Sequence, residues 1–442
     1  MDQNLSQNNN DQEYQNNLPD NSGDGKPDSR NGRSGFWGGI FTGILLSLLV
    51  AASAFVVRQV YTVYQAKEAR ETIQEDQKDD IINEQSLSKL RALEQTIRNY
   101  YYKSDEVDIG QMEEGMYDGL LSSLGDPYSV YYSEEDLNAL MEQTKGIYYG
   151  IGAYVGQEKD TGYTRISGVI DGTPAQDAGL RDGDIIYMVD DQSVQGMQSS
   201  DVVSLIKGLE GTTVHLTIVR EGESDYLEFD IERKKIESPT VNHEMYDNGI
   251  GYLQITEFDD VTLDQFTEAM AELRGQGMKG LIIDVRANPG GNLNTVTDIA
   301  RQLLPEGLIV YTEDRDGKRT EYTCDGTKEF DMPLVVLING YSASASEILA
   351  GAVKDYGIGE LIGTTSYGKG IVQRVISMTD GTAVKLTVSA YFTPNGNNIH
   401  GIGIEPDEVY EFDSERYYKE GYDNQLERAK EVVAEKIAAE GN

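Results

Sequence analysis

The two residues with the clearest chemical potential in this 442-residue sequence are Ser344 and Lys369, which lie twenty-five positions apart. Lys369 is flanked by Gly368 and Gly370, so neighbouring backbone can approach its amine closely. A lysine whose pKa is lowered by desolvation or by other cations can deprotonate a serine hydroxyl. Taken alone, the motif favours the alternative of an ordinary surface lysine in a glycine-rich turn.

The stretch that contains Lys369, GTTSYGKG at residues 363–370, also approaches the pattern of a phosphate-binding loop. In such a loop the lysine is followed by Ser or Thr, and a helix begins there. Here Gly370 follows the lysine, and the next residues, IVQRVIS, alternate and are β-branched, which predicts a strand. We therefore expect no nucleotide site.

Ser344 lies within VVLINGYSASASEILAGAV, residues 335–353, which predicts a buried strand, a sharp turn and a helix. This placement resembles the nucleophile elbow in its logic, although GYSASAS is not GxSxG. The amides and the positive end of the helix would favour an oxyanion. The spacing to Glu347 also forms a capping box, so the sequence alone leaves open whether Ser344 is a nucleophile or a helix cap.

A third stretch, GLIIDVRANPGGN at residues 280–292, ends a predicted buried strand in Pro-Gly-Gly. Gly290 and Gly291 can turn an amide toward a ligand, although a tight turn would explain them as well.

The elements that must position these residues change character along the chain. From about residue 248 onward, apolar strand-like runs alternate with helical ones, which predicts βα units on a largely buried sheet. Residues 146–235 contain short alternating strands such as VHLTIV, whose Val214, Leu216 and Ile218 share one face, and so predict a small β-rich module.

Residues 59–145 are mostly helical in pattern. One amphipathic stripe there predicts a stalk or packing helix rather than a ligand site, and its members are Leu87, Leu90, Leu93 and Ile97.

The N-terminal part of the chain predicts a membrane anchor. Residues 1–34 are polar and predict a disordered tail. The uncharged run at 36–57 is long enough to cross the roughly 30 Å hydrocarbon core as a helix. A cleaved signal peptide is the alternative, since Ala52-Ser53-Ala54 offers small residues.

Three basic residues precede this run at close range, Lys26, Arg30 and Arg33. The positive-inside bias then places the short tail in the cytoplasm and everything after Arg58 outside, so we expect a single-pass cell-membrane protein with an extracytoplasmic bulk.

The composition excludes several classes of function. A formal charge of −39 opposes binding to nucleic acid, which needs clustered Lys and Arg. The single cysteine, Cys324, cannot form an intrachain disulfide and predicts a buried free thiol. Only His215, His243 and His400 are present, so we expect neither a metal site nor another cofactor, and Ser-Lys chemistry fits better than a histidine triad.

Together, five motifs in this order resemble the carboxyl-terminal processing proteases, the S41 serine peptidases, over nearly everything after the predicted membrane span. They are GDPYSVYY at 125–132, GIGA at 150–153, DVRANPGG at 284–291, SASASEILAG at 342–351 and SYGKGIVQ at 366–373.

The resemblance implies an α/β multidomain protein with an N-terminal transmembrane helix, a helical stalk, a PDZ-like domain and a crotonase/ClpP-like βα protease core. The expected domains are a disordered cytoplasmic tail at 1–34, a transmembrane anchor at 35–58, a helical region at 59–145, a PDZ domain at 146–235, and a core with a C-terminal helix at 236–442.

By resemblance, Ser344 is the nucleophile, Lys369 is the base, and Gln373 accepts a hydrogen bond from the lysine and orients it. The family pattern also implies an oxyanion hole formed by the backbone amides of Gly290 and Ala345.

The PDZ resemblance implies capture of a substrate's free C-terminus. Its carboxylate would meet the loop Gly150, Ile151, Gly152 and Ala153. Lys207 stands where relatives commonly show Arg, and an ordinary exposed helix residue is an equally good interpretation of it.

We therefore expect a membrane-anchored extracytoplasmic serine endopeptidase that takes protein or peptide substrates with free C-termini and is gated by its PDZ domain. A homodimer or a regulatory protein partner is compatible with this expectation. The alternatives are a catalytically silent PDZ receptor or scaffold and a crotonase-like acyl-CoA enzyme; the outward topology and the absence of a basic phosphate site oppose the latter.

Overall fold

The structure is a computed structural model that describes Arg58, residues 80–158 and residues 161–440. The chain divides into two compact units, Met1–Val107 and Asp108–Asn442. In the described residues no helix is both long and apolar enough to cross a bilayer. The predicted tail at 1–34 and the predicted span at 36–57 lie outside the described residues.

The first unit contains helix α1 (Glu84–Tyr100) and a short 3-10 segment, Ser104–Glu106. The helix begins at Asn83, whose side chain accepts the amides of Gln85 and Ser86 and so satisfies two of the free N–H groups at this end. The predicted amphipathic helix is confirmed, and its leucines at 87, 90 and 93 remain more than 40% exposed.

The second unit contains the other helices of the described residues. They are α2 (Ile109–Ser122), α3 (Glu134–Lys145), α4 (Pro174–Ala178), α5 (Ser199–Ile206), α6 (Thr262–Gly275), α7 (Leu293–Ala300), α8 (Ala345–Tyr356), α9 (Ser414–Glu420) and α10 (Asn424–Glu440), with a 3-10 segment at Asp247–Gly249.

The strands of this unit form four sheets. They are β1 (Val130–Tyr132), β2 (Ile147–Gly150), β3 (Ala153–Gln157), β4 (Thr164–Val169), β5 (Ile185–Val189), β6 (Gln192–Ser193), β7 (Thr213–Val219), β8 (Leu227–Glu232), β9 (Lys234–Glu237), β10 (Val241–Tyr246), β11 (Ile250–Ile255), β12 (Gly280–Asp284), β13 (Gly307–Asp314), β14 (Arg319–Cys324), β15 (Leu334–Ile338), β16 (Glu360–Gly363), β17 (Ile371–Ser377), β18 (Ala383–Phe392) and β19 (Glu408–Val409).

The β-rich module is a sheet in the order β3-β4-β5-β7-β8, with β6 paired to β5. Its core includes Val214, Leu216 and Ile218, all with no exposed surface, so the predicted shared face is confirmed. Strands β2 and β9 pair antiparallel, from Ile147 opposite Glu237 to Gly150 opposite Lys234. The chain therefore enters and leaves the module through one two-stranded ribbon.

The main sheet runs β10-β11-β12-β15-β16-β19, and all neighbours from β11 onward are parallel. Every residue of β12 and β15 is buried, as expected of a parallel sheet covered on both faces. Helices α6, α7 and α8 contribute to one core, and α10 covers other sheet residues through Ala429, Val432 and Val433. The predicted alternation of strands and helices is confirmed, and Cys324 is a buried free thiol as predicted; the crotonase/ClpP-like character of the core stays a prediction.

This topology brings the candidate residues to one edge. Strands β12, β15 and β16 are parallel neighbours, and the segments that follow them contain Gly290, Ser344 and Lys369. Segments after the carboxyl ends of adjacent parallel strands meet in one crevice, which is where ligands bind in open α/β sheets. An antiparallel sheet, β1-β18-β13-β14 with β17 paired to β18, continues directly from the Lys369 loop.

Candidate active site

Ser344 occupies the turn between the buried strand β15 and helix α8, at the N-cap position. Its backbone angles are φ 53° and ψ −111°, a conformation that non-glycine residues rarely adopt. Such strain persists only where the surrounding structure enforces it, and it is typical of functional sites. The predicted strand, turn and helix are confirmed, and the turn has the strained character of a nucleophile elbow.

The two other serines of the SASAS run are fully buried, and their hydroxyls are occupied. Ser342 Oγ donates to the carbonyl oxygen of Val285 at 2.7 Å, and Ser346 Oγ donates to that of Asn288 at 3.0 Å. Both bonds fasten the α8 turn to the segment after β12. Of the three serines, therefore, only the partly exposed Ser344 is accessible to a substrate.

The capping box predicted for Ser344 and Glu347 is present. Glu347 Oε2 accepts the backbone amide of Ser344 at 2.8 Å. The reverse half of the box is loose, because the Glu347 amide makes its well-formed bond to the carbonyl oxygen of Ser344 at 2.9 Å. Nucleophile and cap are thus compatible, since the cap depends mainly on the Ser344 backbone.

Glu347 does more than cap the helix. Its carboxylate has no exposed surface, and it also accepts the amide of Lys369 on Oε2 at 2.8 Å. On Oε1 it accepts the amide of Gly368 and the hydroxyl of Ser366, each at 2.6 Å. Hydrogen bonds to an ionised acceptor are roughly twice as strong as neutral ones. One buried carboxylate therefore joins the backbone of the Ser344 turn to that of the lysine loop.

A buried tyrosine from β18 supports the same turn. The Tyr391 hydroxyl donates to the carbonyl oxygen of Ser344 at 3.2 Å. Burial, followed by the nearby charge of Glu347, raises the pKa of Tyr391 well above its usual value, so the hydroxyl remains a donor.

The Lys369 side chain is half-buried, and its Nζ lies 4.7 Å from the centre of the Tyr128 ring. Burial lowers the pKa of Lys369, and the positive charge of Lys385 lowers it further. Glu347 and Asp126 act in the opposite direction without cancelling the effect. A lowered pKa is the property that a lysine base requires.

The predicted side-chain contacts of this lysine are not formed in this structure. Among the hydrogen bonds of the described residues, none joins Lys369 Nζ to Ser344 Oγ or to Gln373. Gln373 Nε2 instead donates to Thr387 Oγ1 at 3.2 Å, because the pairing of β17 with β18 sets these two residues opposite each other. The backbones of Ser344 and Lys369 are thus held together through Glu347, while the Lys369 amine lies over the Tyr128 ring.

The two predicted oxyanion donors differ. Gly290 lies beside Ser344, and a Cβ built on it would come within 2.8 Å of Ser344 Cβ. However, its amide donates to Asn288 Oδ1 at 2.8 Å, in the Asx-turn pattern in which an Asn side chain accepts the amide two residues on. Ala345 is the first residue of α8, and its amide has no acceptor within the described part of the chain. In this conformation only Ala345 offers a free donor.

An ion-pair cluster that sequence reasoning missed lies behind the Gly290 segment. Arg286 donates to Asp284 and to Asp423, with the closest contacts at 2.6 and 2.8 Å. Tyr252 also donates to Asp284, at 2.9 Å. Burial alone would raise the pKa of Asp423, but the hydrogen bond from Arg286, the backbone amide of Leu426 and the charge of Arg286 together outweigh it, and the pKa is lowered. The cluster ties the segment after β12 to the start of α10.

In the β-rich module, the predicted carboxylate loop links β2 to β3. Gly150 ends β2, Ala153 begins β3, and Gly152 has a φ of 84°. A Cβ on Gly152 would lie 2.3 Å from that of Thr173, so only glycine fits this turn. Within the described residues the amides of Ile151 and Gly152 meet no acceptor, as an anion-binding loop requires.

Lys207 directly follows α5, and its side chain is more than a third exposed. Its Nζ pairs with Glu142 of α3 at 3.0 Å and lies 5.2 Å from the centre of the Tyr148 ring. A Cβ on Gly150 would lie 3.9 Å from Lys207 Cγ, so the lysine stem borders the loop.

Three residues at this site were not assigned a role from the sequence: Tyr128, Thr387 and Glu347 beyond its cap. The capping pattern was the available signal for Glu347, and the position of Tyr128 in GDPYSVYY was the signal for that residue. Within residues 80–158 and 161–440, no group of three or more His, Cys, Asp or Glu side chains could hold a metal ion.

Three family profiles match the chain. Residues 249–410 match "Peptidase family S41", residues 165–220 match "PDZ domain", and residues 48–136 match "Activating protease CtpB N-terminal domain".

Curated relatives match most of the chain. The chain is 36% identical over 341 residues to carboxy-terminal processing protease CtpA of Bacillus subtilis (strain 168), covering 75% of this chain and 72% of that protein. It is also 36% identical to CtpB of the same strain, covering 74% and 68%. A carboxy-terminal-processing protease of Bartonella bacilliformis is 36% identical over 72% of this chain and 73% of its own length. The chain therefore belongs to the carboxy-terminal processing proteases of peptidase family S41 and is a serine-type peptidase.

Proposed function

We propose that the chain is a membrane-anchored, extracytoplasmic endopeptidase in which Ser344 is the nucleophile and Lys369 is the general base. The observation that carries this proposal is the pair of hydrogen bonds by which Glu347 Oε2 accepts the amides of both residues at 2.8 Å. Two catalytic groups on different segments must be held in a fixed relation, and this shared acceptor supplies it.

The reaction follows from these positions. Ser344 Oγ attacks the scissile carbonyl carbon while its proton passes to the neutral amine of Lys369. The amide of Ala345 stabilises the oxyanion, joined by that of Gly290 once it leaves Asn288. The resulting ammonium protonates the leaving amine, and a water molecule, deprotonated by the same lysine, hydrolyses the acyl ester.

The site must rearrange for this chemistry. Lys369 has to leave the Tyr128 ring and reach Ser344, and Gln373 has to exchange Thr387 for the lysine. A ligand that binds the productive arrangement more tightly shifts the population toward it. We assign that role to a substrate tail on the PDZ domain.

The tail would add to a strand edge with its carboxylate on the amides of Ile151 and Gly152, and Lys207 beside them. The free amides and the nearby cation support this assignment. Gating is tested by deleting residues 146–235 and comparing cleavage of a substrate with a free C-terminus and the same substrate amidated. An unchanged ratio in the deletion variant contradicts gating.

The decisive experiment on the chemistry uses the full-length chain in detergent and an unstructured protein with an apolar C-terminus. Ser344→Ala and Lys369→Ala are compared with the wild type. The matched controls Ser377→Ala and Lys419→Ala remove an exposed serine and an exposed lysine elsewhere. Loss of at least about a thousandfold in both test variants, with unchanged thermal unfolding and active controls, is expected.

Equal activity in the wild type and both test variants would mean that the site is misassigned. If the protein binds substrate tails and still does not cleave them after envelope extract is added, the silent PDZ receptor is favoured. Turnover of an acyl-CoA by the same preparation would favour the crotonase-like alternative.

The anchoring and the localisation rest on the sequence: the uncharged run at 36–57 and the three basic residues before it. The expected result is that the chain resists alkaline extraction from membranes and is digested by protease added outside intact cells. Release by alkali or protection from the added protease contradicts this topology. A homodimer or a regulatory partner stays a prediction, and sedimentation of the detergent-solubilised chain tests the former.

A further inference from the structure

The motif GDPYSVYY at residues 125–132 has no role in the chemistry just described, yet the structure sets it against the proposed base. The Tyr128 ring centre is 4.7 Å from Lys369 Nζ, within the range of a cation–π contact. The two residues are far apart in sequence, so tertiary structure alone makes this contact.

The segment that holds Tyr128 is fixed by its own hydrogen bonds. Asp126 accepts the Tyr128 amide at 3.0 Å and the Ser129 hydroxyl at 2.6 Å. Ser129 is buried, and its Oγ accepts the amide of Thr387 at 3.1 Å. Thr387 in turn accepts the side chain of Gln373. The motif therefore supports both the base and the residue expected to orient it.

The strand that follows Tyr128 continues this attachment. Strand β1 pairs antiparallel with β18, with Val130 opposite Lys385. The ring is thus held on the same sheet as the partner of Gln373, rather than on a free loop.

The ring acts as a neutral aromatic surface. The hydrogen bond with Tyr367, at 3.4 Å between the hydroxyl oxygens, and burial raise the pKa of Tyr128 to about 12. Its phenol is therefore protonated at neutral pH, and the attraction to Lys369 comes from the face of the ring.

We propose that Tyr128 is a positioning residue that holds the ammonium form of Lys369 away from Ser344 and sets the pH at which this amine becomes free. The inference rests on the proposed function of Lys369 as the general base. A cation–π contact favours the charged amine alone, so release from the ring and loss of the proton are linked.

The other charged groups around the amine set the background. Lys385 on β18 disfavours the ammonium, whereas Glu347 on α8 and Asp126 in the motif favour it. His400, whose backbone borders Gly370, acts on Asp126. The Tyr128 hydroxyl donates to Tyr367 and not to any of these groups, so a change of the side chain removes none of their hydrogen bonds.

The test measures the Lys369 amine directly in the full-length protein in detergent. Acetic anhydride is allowed to compete for amines across a pH series, and acetylation of Lys369 is read by peptide mass spectrometry. The variants are Tyr128→Phe and Tyr128→Leu. Tyr131→Leu is the matched control, because it removes a ring from the same segment that packs on Tyr117 instead.

Tyr128→Phe keeps the ring, so its labelling curve is expected to coincide with the wild type. Leucine keeps the apolar bulk but not the π face, so the Lys369 curve is expected to move to lower pH by about half a unit or more. In Tyr128→Leu the acidic limb of the pH profile of kcat/KM should also move to lower pH. Tyr131→Leu should leave the Lys369 curve in place.

Coincident curves for Tyr128→Leu and the wild type overturn the proposal. If the leucine variant fails to fold, Phe and ring-fluorinated Phe incorporated at position 128 preserve the shape while weakening the quadrupole. A curve that does not shift with increasing fluorination also overturns the proposal. Labelling does not depend on catalytic turnover, so the two proposals can fail separately. An active Lys369→Ala variant would refute the proposed function. Unshifted labelling curves together with an inactive Lys369→Ala variant would refute only the role of Tyr128.

Discussion

Glu347 Oε2 accepts the backbone amide of Lys369 at 2.8 Å, across 22 positions of sequence. Because the same oxygen accepts the amide of Ser344, we expect a displacement of the lysine loop to move the Ser344 turn as well. This carboxylate is therefore a structural requirement of the site, although we expect it to make no contact with the substrate.

The first prediction concerns Glu347→Gln. An amide group in place of one carboxylate oxygen cannot accept from the buried N–H groups, and each donor left unpaired costs about 1–3 kcal/mol. We expect the free energy of unfolding to fall by about 2–4 kcal/mol and kcat/KM to fall roughly a hundredfold. Urea unfolding and cleavage assays measure the two effects.

Ser366→Ala is the control for this variant, because it removes one of the four donors and leaves the three amides paired with Glu347. It also deprives the buried Ile404 amide of its acceptor, Ser366 Oγ, so the comparison is made on activity, and Ser366→Ala should lose clearly less kcat/KM than Glu347→Gln. Activity of Glu347→Gln within about threefold of the wild type would contradict the role given to the carboxylate.

The second prediction concerns pH. The positive charge of Lys385 contributes to the lowered pKa of Lys369. In Lys385→Gln the ammonium of Lys369 loses this repulsion, so its pKa rises and less neutral amine is present at a given pH. We expect the acidic limb of kcat/KM to move to higher pH by about half a unit, with roughly threefold lower activity on the limb.

This shift is opposite in sign to that expected of Tyr128→Leu, so the two variants separate repulsion from ring binding. Lys354→Gln removes a surface charge from α8 and should leave the limb in place. A Lys385→Gln limb that moves to lower pH would show that the sign assigned to this charge is wrong.

The third prediction compares two glycines with positive φ. A Cβ at Gly290 would lie 2.7 Å from the carbonyl oxygen of Ala343 and 2.8 Å from Ser344 Cβ, whereas a Cβ at Gly277 would meet nothing within 4 Å. Both alanine variants carry backbone strain of about 1 kcal/mol or more. Only Gly290→Ala should also displace the nucleophile and lower kcat/KM by at least about a hundredfold.

Thermal unfolding and cleavage are measured on both variants. Equal losses of activity in Gly290→Ala and Gly277→Ala would mean that the close approach to Ser344 has no functional consequence.

The fourth prediction concerns the ion pair of Glu142 and Lys207. Both side chains are more than a third exposed, at 48% and 38%, so the pair is worth at most about 1 kcal/mol. In Glu142→Gln the lysine is free for a substrate carboxylate. We expect peptides with a free C-terminus to bind up to about fivefold more tightly at low salt, as measured by fluorescence anisotropy.

Amidated peptides should show no such gain, and neither should Glu135→Gln, which removes an exposed charge from the same helix. Equal gains in affinity for free and amidated peptides would mean that Lys207 has no part in binding the carboxylate.

The backbone of the site could be predicted from the sequence because its signals are local. The buried run of β15, the small residues around Ser344 and the alternating residues after Gly370 each determine an element through short-range packing and backbone preferences. Their meeting at one edge then follows from the order of parallel strands.

The contacts of the side chains could not be predicted in the same way. Lys369 lies on the ring of Tyr128, which comes from near the start of the second unit, and Lys207 pairs with Glu142, 65 positions earlier in the chain. These partners are determined by which distant surfaces pack together, and local patterns contain no record of that. The Glu347 pattern was visible as a cap, but its bonds to the lysine loop exist only once that loop has folded against α8.

Because Arg286 pairs with Asp423, part of the support of the site is synthesised after the candidate residues. A nascent chain that ends shortly after Gln373 already contains the proposed nucleophile, base and oxyanion segment. It lacks Asp423, which pairs with Arg286 just ahead of Gly290, and it lacks α10, which covers one side of the main sheet. We therefore expect a ribosome-bound chain of that length to contain every proposed reacting group without being an active protease, because the support for those groups is translated after them.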